Sequence, residues 1–132
     1  MQYLKEILFI DIETVPVQPE YGLLSEAMQA EWVKKTKFLK SQAEGIADPS
    51  VVYGERAGIY SEFAKVVCIG FGSLVLQEGK WKMRLKTLVY ENEHQLLTAF
   101  CDMLHRFTAH NRNMQFCGHN IKEFDMPFLC RR

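Results

Sequence analysis

The sequence predicts an α/β fold in which a mixed β-sheet is flanked by helices. An apolar run at Leu4–Ile12 is typical of a sheet strand, and the β-rich stretches 64–76 and 80–90 are close enough along the chain to pair as antiparallel neighbours. A helical pattern over residues 92–107 separates the third strand from a fourth, which permits a crossover to a parallel strand. The length of 132 residues suits a single domain.

The first strand is followed by a helical insertion. The strand is apolar on both faces, which predicts a central strand covered on each side. Residues 16–62 then form a connection longer than most. A first helix is predicted from about Pro19 to Gln42, with its period set by Tyr21, Leu24, Met28 and Trp32, and Trp32 is expected in the core. Asp48-Pro49 predicts the start of a second helix that ends near Ile59.

The second and third strands differ in character. The second, Ala64–Leu76, contains Gly70 and Gly72, which lack the third glycine of a dinucleotide-binding loop and instead predict a bend or a close backbone contact. The third strand alternates, with an apolar face predicted to pack inward at Trp81, Met83, Leu85 and Val89. Its basic outer face consists of Lys80, Lys82, Arg84 and Lys86. This face is interpreted either as protection of a sheet edge or as a track for nucleic acid.

The C-terminal third predicts a helix, a short strand and a further helix. The helix at 92–107 presents apolar residues at helical spacing, namely Leu96, Leu97, Phe100, Met103, Leu104 and Phe107. The sequence MQFCGHN predicts a fourth strand near Gln115–Cys117 that ends in a polar turn. The sequence KEFDMPFLCRR predicts a final helix with Pro127 in its first turn.

The composition limits which binding partners and which cellular compartment are expected. Sixteen basic and sixteen acidic residues give zero net charge, so a nucleic-acid partner has to be held by local charges. No apolar run approaches the length of a membrane span and no signal peptide is visible, so we expect a cytoplasmic protein without membrane contact. The four cysteines, at positions 68, 101, 117 and 130, form no CxxC pair and are expected to be mostly buried free thiols.

Two carboxylates stand at the end of the first strand, in the sequence ILFIDIETVP. Asp11 and Glu13 are two residues apart, so their side chains project from the same face of the strand. Two like charges in that position repel, and a hard divalent cation such as Mg²⁺ or Mn²⁺ would relieve the repulsion. The plainer interpretation is a strand that emerges into solvent, which the short pattern alone favours.

A third acid, Asp125, follows the fourth strand in the sequence GHNIKEFDMPFL. An acid at a helix start commonly satisfies free backbone N–H groups, which is the plainer interpretation of Asp125. The surrounding residues add constraints, because Gly118 permits a sharp exit from the strand and the side chain of Asn120 is expected to hold the turn.

Together, FIDIETVP and GHNIKEFDMPFL resemble the first two motifs of the DEDD superfamily of 3′–5′ exonucleases, in particular the family related to the proofreading domain of family-B DNA polymerases. The resemblance implies a ribonuclease H-like fold, with antiparallel strands one to three, a parallel strand and flanking helices. It implies a metal-dependent nuclease that removes nucleotides from the 3′ end of single-stranded DNA or RNA.

The resemblance also assigns roles to residues of this chain. Asp11, Glu13 and Asp125 match the acids that hold two divalent cations, Mg²⁺ or Mn²⁺, roughly 4 Å apart. Residues implied to bind or support the substrate are Thr14, Val15, Asn120, Phe124 and Phe128. His119, beside the second motif, is a separate candidate for a phosphate contact.

The sequence departs from the family pattern at its end. The family's third motif, a tyrosine or histidine four residues before an aspartate, has no match up to Arg132. We therefore expect a truncated domain that lacks the final strand and helix and is impaired as an enzyme. Alternatives are a catalytically inactive nucleic-acid-binding or scaffold module of the same fold, and an endonuclease. The edge of the fourth strand is expected to be unpaired, which predicts a homodimer.

Overall fold

A computed structural model describes residues 2–37 and 48–132 of the chain. The end of the predicted first helix, near Gln42, lies outside the described residues. The chain divides into two compact units, which we describe separately. Unit 1 consists of Met1–Glu13 and Val66–Arg132, and unit 2 consists of Thr14–Lys65.

A four-stranded sheet forms the framework of unit 1. Its strands are β1 (Ile7–Pro16), β2 (Ala64–Gln77), β3 (Lys80–Val89) and β4 (Gln115–Cys117), in the spatial order β3-β2-β1-β4. The first three strands are antiparallel and β4 runs parallel to β1, which confirms the predicted mixed sheet. A 3₁₀ helix at Gln2–Glu6 precedes β1, so the strand begins and ends later than predicted.

β1 is a central strand, as predicted, but only one of its faces is fully buried, whereas Ile7 and Phe9 on the other face are half-buried. Leu8, Ile10 and Ile12 are buried, whereas Asp11 and Glu13 are exposed. The period of two along a strand separates the buried set from the acids. The acids therefore project from the more open face of the sheet.

The β2–β3 hairpin has the predicted extent, and it pairs continuously from Cys68↔Val89 to Gln77↔Lys80. The two turn residues, Glu78 and Gly79, have φ angles of 54° and 76°, as the twist of a two-residue hairpin requires. The predicted close contact is confirmed at Gly72, where a Cβ would lie 3.1 Å from the carbonyl oxygen of Arg84.

The predicted packing of β3 is wrong. Leu85 and Val89 belong to the face expected to pack inward, yet they are 75% and 67% exposed. The buried residue is Leu88, which shares its face with the basic side chains. The helix α3 (Glu93–His110) packs against β3, and one strand cannot bury both of its faces without a second layer.

Two helices follow the hairpin. α3 (Glu93–His110) begins at Asn92, whose side-chain oxygen accepts hydrogen bonds from the backbone N–H groups of His94 and Gln95 at 2.8 and 3.3 Å. It confirms the predicted helix and extends three residues beyond residue 107. α4 (Asp125–Leu129) contains Pro127 in its first turn, as predicted.

Unit 2 has its own core around Trp32, which is fully buried, as predicted. The unit contains α1 (Glu26–Thr36) and α2 (Pro49–Arg56), and a 3₁₀ turn at Ala57–Ile59. The expected helix start near Pro19 is wrong, because the side chain of Ser25 caps α1 by accepting from the N–H of Met28. Asp48 caps α2, as the sequence predicted.

Two further expectations concern cysteines and membranes. Cys101, Cys117 and Cys130 are exposed and Cys68 is half-buried, so the expectation of mostly buried thiols is wrong, although all four are free. In residues 2–37 and 48–132, no helix has the length and apolar character that crossing a bilayer demands.

Candidate carboxylate site on β1

Asp11 and Glu13 form the exposed part of the site. Their charges reach across to β2, where burial, followed by the charges of Glu13 and Asp11, raises the pKa of the Cys68 thiol. Beside Asp11 lies an open depression of about 320 Å³, lined in part by Phe9, Thr87 and Cys117. The site therefore combines negative charge with space for a ligand.

The chain makes a tight turn where β4 ends. Pairing with β1 stops at Phe9↔Cys117, and a Cβ on Gly118 would lie 2.6 Å from the carbonyl oxygen of Ile10. Only glycine permits so close an approach of the two backbones. Asn120 adopts a left-handed conformation with φ of 52°. Its backbone carbonyl, rather than the predicted side chain, accepts the hydrogen bonds observed here, from the N–H groups of Glu123 and Phe124.

This turn brings Asp125 back to β1. Oδ1 of Asp125 accepts a hydrogen bond of 3.1 Å from the backbone N–H of Ile12, 113 residues earlier in the chain. Because β4 has already ended at Cys117, the carboxylate takes a place that a further strand residue would otherwise fill. Ile12 lies between Asp11 and Glu13, so the fold brings the third acid to the predicted pair.

Asp125 is only 2% exposed, and its environment favours the neutral acid. Burial is the largest influence that raises the pKa of Asp125, and the negative charge of Asp11 acts in the same direction. Hydrogen bonds from its own N–H and that of Ile12, together with the charge of His119, oppose the rise without cancelling it. These influences place Asp11 and His119 within electrostatic reach of Asp125.

The remaining predicted residues divide between the two units. In unit 1, His119 and Asn120 are exposed, while the rings of Phe124 and Phe128 pack at a centroid distance of 5.6 Å and Phe128 is buried. Thr14 and Val15 belong to unit 2. There the hydroxyl of Thr14 donates to the carbonyl of Gly58 at 2.6 Å, and Val15 is 37% exposed.

The three carboxylates have the donor chemistry of an Mg²⁺ or Mn²⁺ site, but their present arrangement is not a closed cage. Within the described ranges 2–37 and 48–132, no three histidine, cysteine, aspartate or glutamate side chains converge closely enough to hold a metal ion. One oxygen of Asp125 is also engaged by the N–H of Ile12. The side chains would have to rearrange in order to chelate a cation.

Two features of this site were missed by sequence reasoning. The pairing of Asp125 with the Ile12 N–H could have been inferred only from the shortness of β4, which leaves part of the edge of β1 without a strand partner. No sequence pattern indicated that Cys68 lies near the acids, because the pattern of β2 does not specify its register against β1. No protein-family model, curated protein or solved structure matches this chain.

Proposed function

We propose that this chain is the ribonuclease H-like core of a metal-dependent 3′–5′ exonuclease that acts on single-stranded nucleic acid, with DNA as the first substrate to test. The observation that carries the proposal is the hydrogen bond from Ile12 N–H to Asp125, which brings a distant acid to the strand that bears Asp11 and Glu13.

The sheet supports the same proposal. A long hairpin, a central β1 and a parallel β4 reached through α3 form the arrangement expected of a ribonuclease H-like fold. In open α/β sheets, ligands bind beyond the carboxyl ends of the strands. Asp11 and Glu13 lie within β1 rather than at its predicted end, but they stand just beyond the carboxyl end of β4, whose pairing with β1 stops at Phe9↔Cys117. Asp11 also helps to line the depression beside it.

Each residue then has a proposed task. Asp11 and Glu13 would provide exposed carboxylate oxygens to the cations, and Asp125 would provide a third carboxylate from the buried side. Bound there, two divalent cations supply an activated water and charge neutralisation at the scissile phosphate. His119 would contact a phosphate. Asn120, Phe124 and Phe128 would support the turn that carries Asp125.

Cation binding tests the proposal without depending on turnover. We expect Mn²⁺ to raise the melting temperature of the wild-type chain and to have little effect on Asp11→Asn or Glu13→Gln, because each substitution removes a charged ligand. Asp102→Asn is the matched control, since Asp102 is an exposed acid on α3. A wild-type protein that ignores Mn²⁺, or an Asp11→Asn variant that responds like the wild type, would overturn the proposal.

Activity provides the second test. With 5′-labelled single-stranded DNA and Mn²⁺, we expect only weak stepwise shortening from the 3′ end, because the sequence lacks a match to the family's third motif. Robust laddering would contradict the predicted impairment, and cleavage of circular DNA would indicate an endonuclease.

A non-catalytic nucleic-acid-binding module of the same fold is the second candidate. It is favoured by the absence of a closed metal-ligand cluster among the described residues. Oligonucleotide binding without any response to Mn²⁺ and without cleavage would support this candidate over the enzyme.

A further inference from the structure

A second groove lies in unit 1, between the C-terminal half of α3 and the β2–β3 hairpin. Its volume is about 530 Å³, within the range of small-ligand sites. Leu8, from the buried face of β1, lies at its base, whereas Asp11 projects from the opposite face. The groove therefore opens on the face of the sheet opposite the side chain of Asp11, although Phe71, Leu85 and Lys86 also line the depression beside Asp11.

The rim of this groove is basic. Arg84 and Lys86 come from β3, and Arg106 and His110 come from α3. No aspartate or glutamate lines the groove, and none of the ion pairs found among residues 2–37 and 48–132 involves Arg84, Lys86 or Arg106. In a chain of zero net charge, this is a local concentration of positive charge.

The orientation of His110 adds a polar group to the rim. Its Nδ1 lies 2.8 Å from the carbonyl oxygen of Arg106, so Nδ1 must carry the proton and donate. Nε2 is then the ring nitrogen left for a ligand, as an acceptor in the neutral ring and as a donor when the ring is protonated.

The floor of the groove is aromatic and apolar. Phe71 from β2 and Phe107 from α3 both line it and are half-buried, so part of each ring remains accessible. Aromatic faces stack with nucleobases with little sequence preference, and basic side chains at the margin pair with phosphates. A ligand that matches both features carries flat apolar groups and regularly spaced negative charges.

We propose that this groove binds a segment of single-stranded nucleic acid. Arg84, Lys86 and Arg106 contact its phosphates, and Phe71 and Phe107 stack against its bases. The accessible rings favour a nucleic acid over an acidic peptide, which would use only the charges. The proposal does not depend on hydrolysis at the carboxylates, because binding here needs no divalent cation.

Fluorescence anisotropy with a labelled oligothymidylate of roughly 12 nucleotides tests the proposal. EDTA is present throughout, so a failure of metal binding or cleavage at the carboxylate site leaves the measurement intact. The double variant Arg84→Ala/Lys86→Ala should bind about tenfold more weakly than the wild type. It should also lose about 1.4 from the slope of log K against log salt, because each lost phosphate contact removes about 0.7.

Lys80→Ala/Lys82→Ala is the matched control. It removes the same charge from the same face of the same strand, but Lys80 and Lys82 do not line the groove. We expect it to retain wild-type affinity and salt dependence. Equal weakening by both double variants would show a diffuse electrostatic attraction and would overturn the proposal.

Phe107→Leu separates stacking from charge. Leucine preserves the apolar floor but removes the ring, so affinity should fall with the salt slope unchanged. Circular dichroism verifies that each variant is folded. Absence of wild-type binding, an unaffected Phe107→Leu variant, or equal displacement of the oligonucleotide by a polyglutamate peptide would each overturn the proposal.

Discussion

Asp125 has a part both in the local fold and in the proposed chemistry. Its carboxylate is buried, accepts from the Ile12 N–H and lies within the field of Asp11. Removing the acceptor would leave a buried donor unpaired, whereas neutralising the acid would remove an unfavourable charge. These two effects have opposite signs, and two substitutions distinguish them.

Asp125→Asn should be more stable than the wild type at neutral pH. Burial and Asp11 raise the pKa of Asp125 above its ordinary value of 3.8, so the folded state binds the proton more tightly than the unfolded state. The associated stability is present below the ordinary pKa and is lost as the pH rises through the folded value. Asparagine does not ionise but retains an oxygen for the Ile12 N–H.

Urea denaturation across the acid range measures this effect. The advantage of Asp125→Asn should shrink as the pH falls through the raised folded pKa towards the ordinary value of 3.8, and it should be absent well below 3.8, where both states of the wild type are protonated. Asp125→Ala, which removes the acceptor, should instead lose about 1–3 kcal/mol of unfolding free energy at pH 7. If asparagine destabilises as much as alanine at pH 7, the raised pKa has no role in stability.

Gly118→Ala tests the turn that brings Asp125 to β1. The new Cβ would lie 2.6 Å from the carbonyl oxygen of Ile10, so a cost of about 1–3 kcal/mol in unfolding free energy is expected. Gly54→Ala is the control, because Gly54 lies inside α2 with no atom within 4 Å of the added Cβ. It should stabilise the protein by about 0.5–1 kcal/mol in thermal or urea unfolding.

At the scale of single residues, the sequence predicted which residues form the site more accurately than it predicted their contacts. The spacing of Asp11 and Glu13 was sufficient to predict a shared exposed face, because alternation along a strand is local geometry. The hydrogen bond between Ile12 and Asp125 spans 113 residues and depends on where β4 stops, which no local pattern encodes.

Among the elements, β3 shows how a correct strand can be assigned the wrong buried face. Its limits followed from alternation, yet the face that packs inward is the one containing Leu88. Alternation defines two faces but does not specify which one α3 will cover. The caps of α2 and α3, by contrast, follow from the local chemistry of Asp48 and Asn92.

Paired leucine substitutions on β3 measure this assignment. Leu88→Ala should lower the unfolding free energy by about 2–5 kcal/mol, because it opens a cavity at a buried position. Leu85→Ala, three residues away and 75% exposed, should change it by less than about 0.5 kcal/mol. If urea denaturation shows a larger loss for Leu85→Ala than for Leu88→Ala, the face predicted from the sequence is the one that packs inward.

For the molecule as a whole, charge and sheet edges govern association. The net charge of zero gives neither a general attraction to nucleic acid nor strong repulsion between copies. β4 forms one edge of the sheet but contributes only three residues to it. β3 forms the other edge and carries lysines, which oppose strand pairing.

A homodimer through the β4 edge therefore remains a prediction, with a short pairing surface. Sedimentation at increasing protein concentration should show a reversible monomer–dimer equilibrium. Cys117→Ser serves as the control for disulfide-linked dimers, because Cys117 lies exposed on β4. Strictly monomeric behaviour at high concentration would contradict the prediction.

The hydrogen bond to Asp125 also makes one main-chain amide an intrinsic spectroscopic sensor. In a two-dimensional ¹⁵N NMR spectrum, the Ile12 resonance should shift when the carboxylate of Asp125 gains a proton or approaches a cation. The N–H of Ile12 already donates to Oδ1 of Asp125, so a ligand cannot take that hydrogen bond without displacing the carboxylate. The Ile12 amide resonance therefore detects protonation of Asp125 or the approach of a cation to the acids.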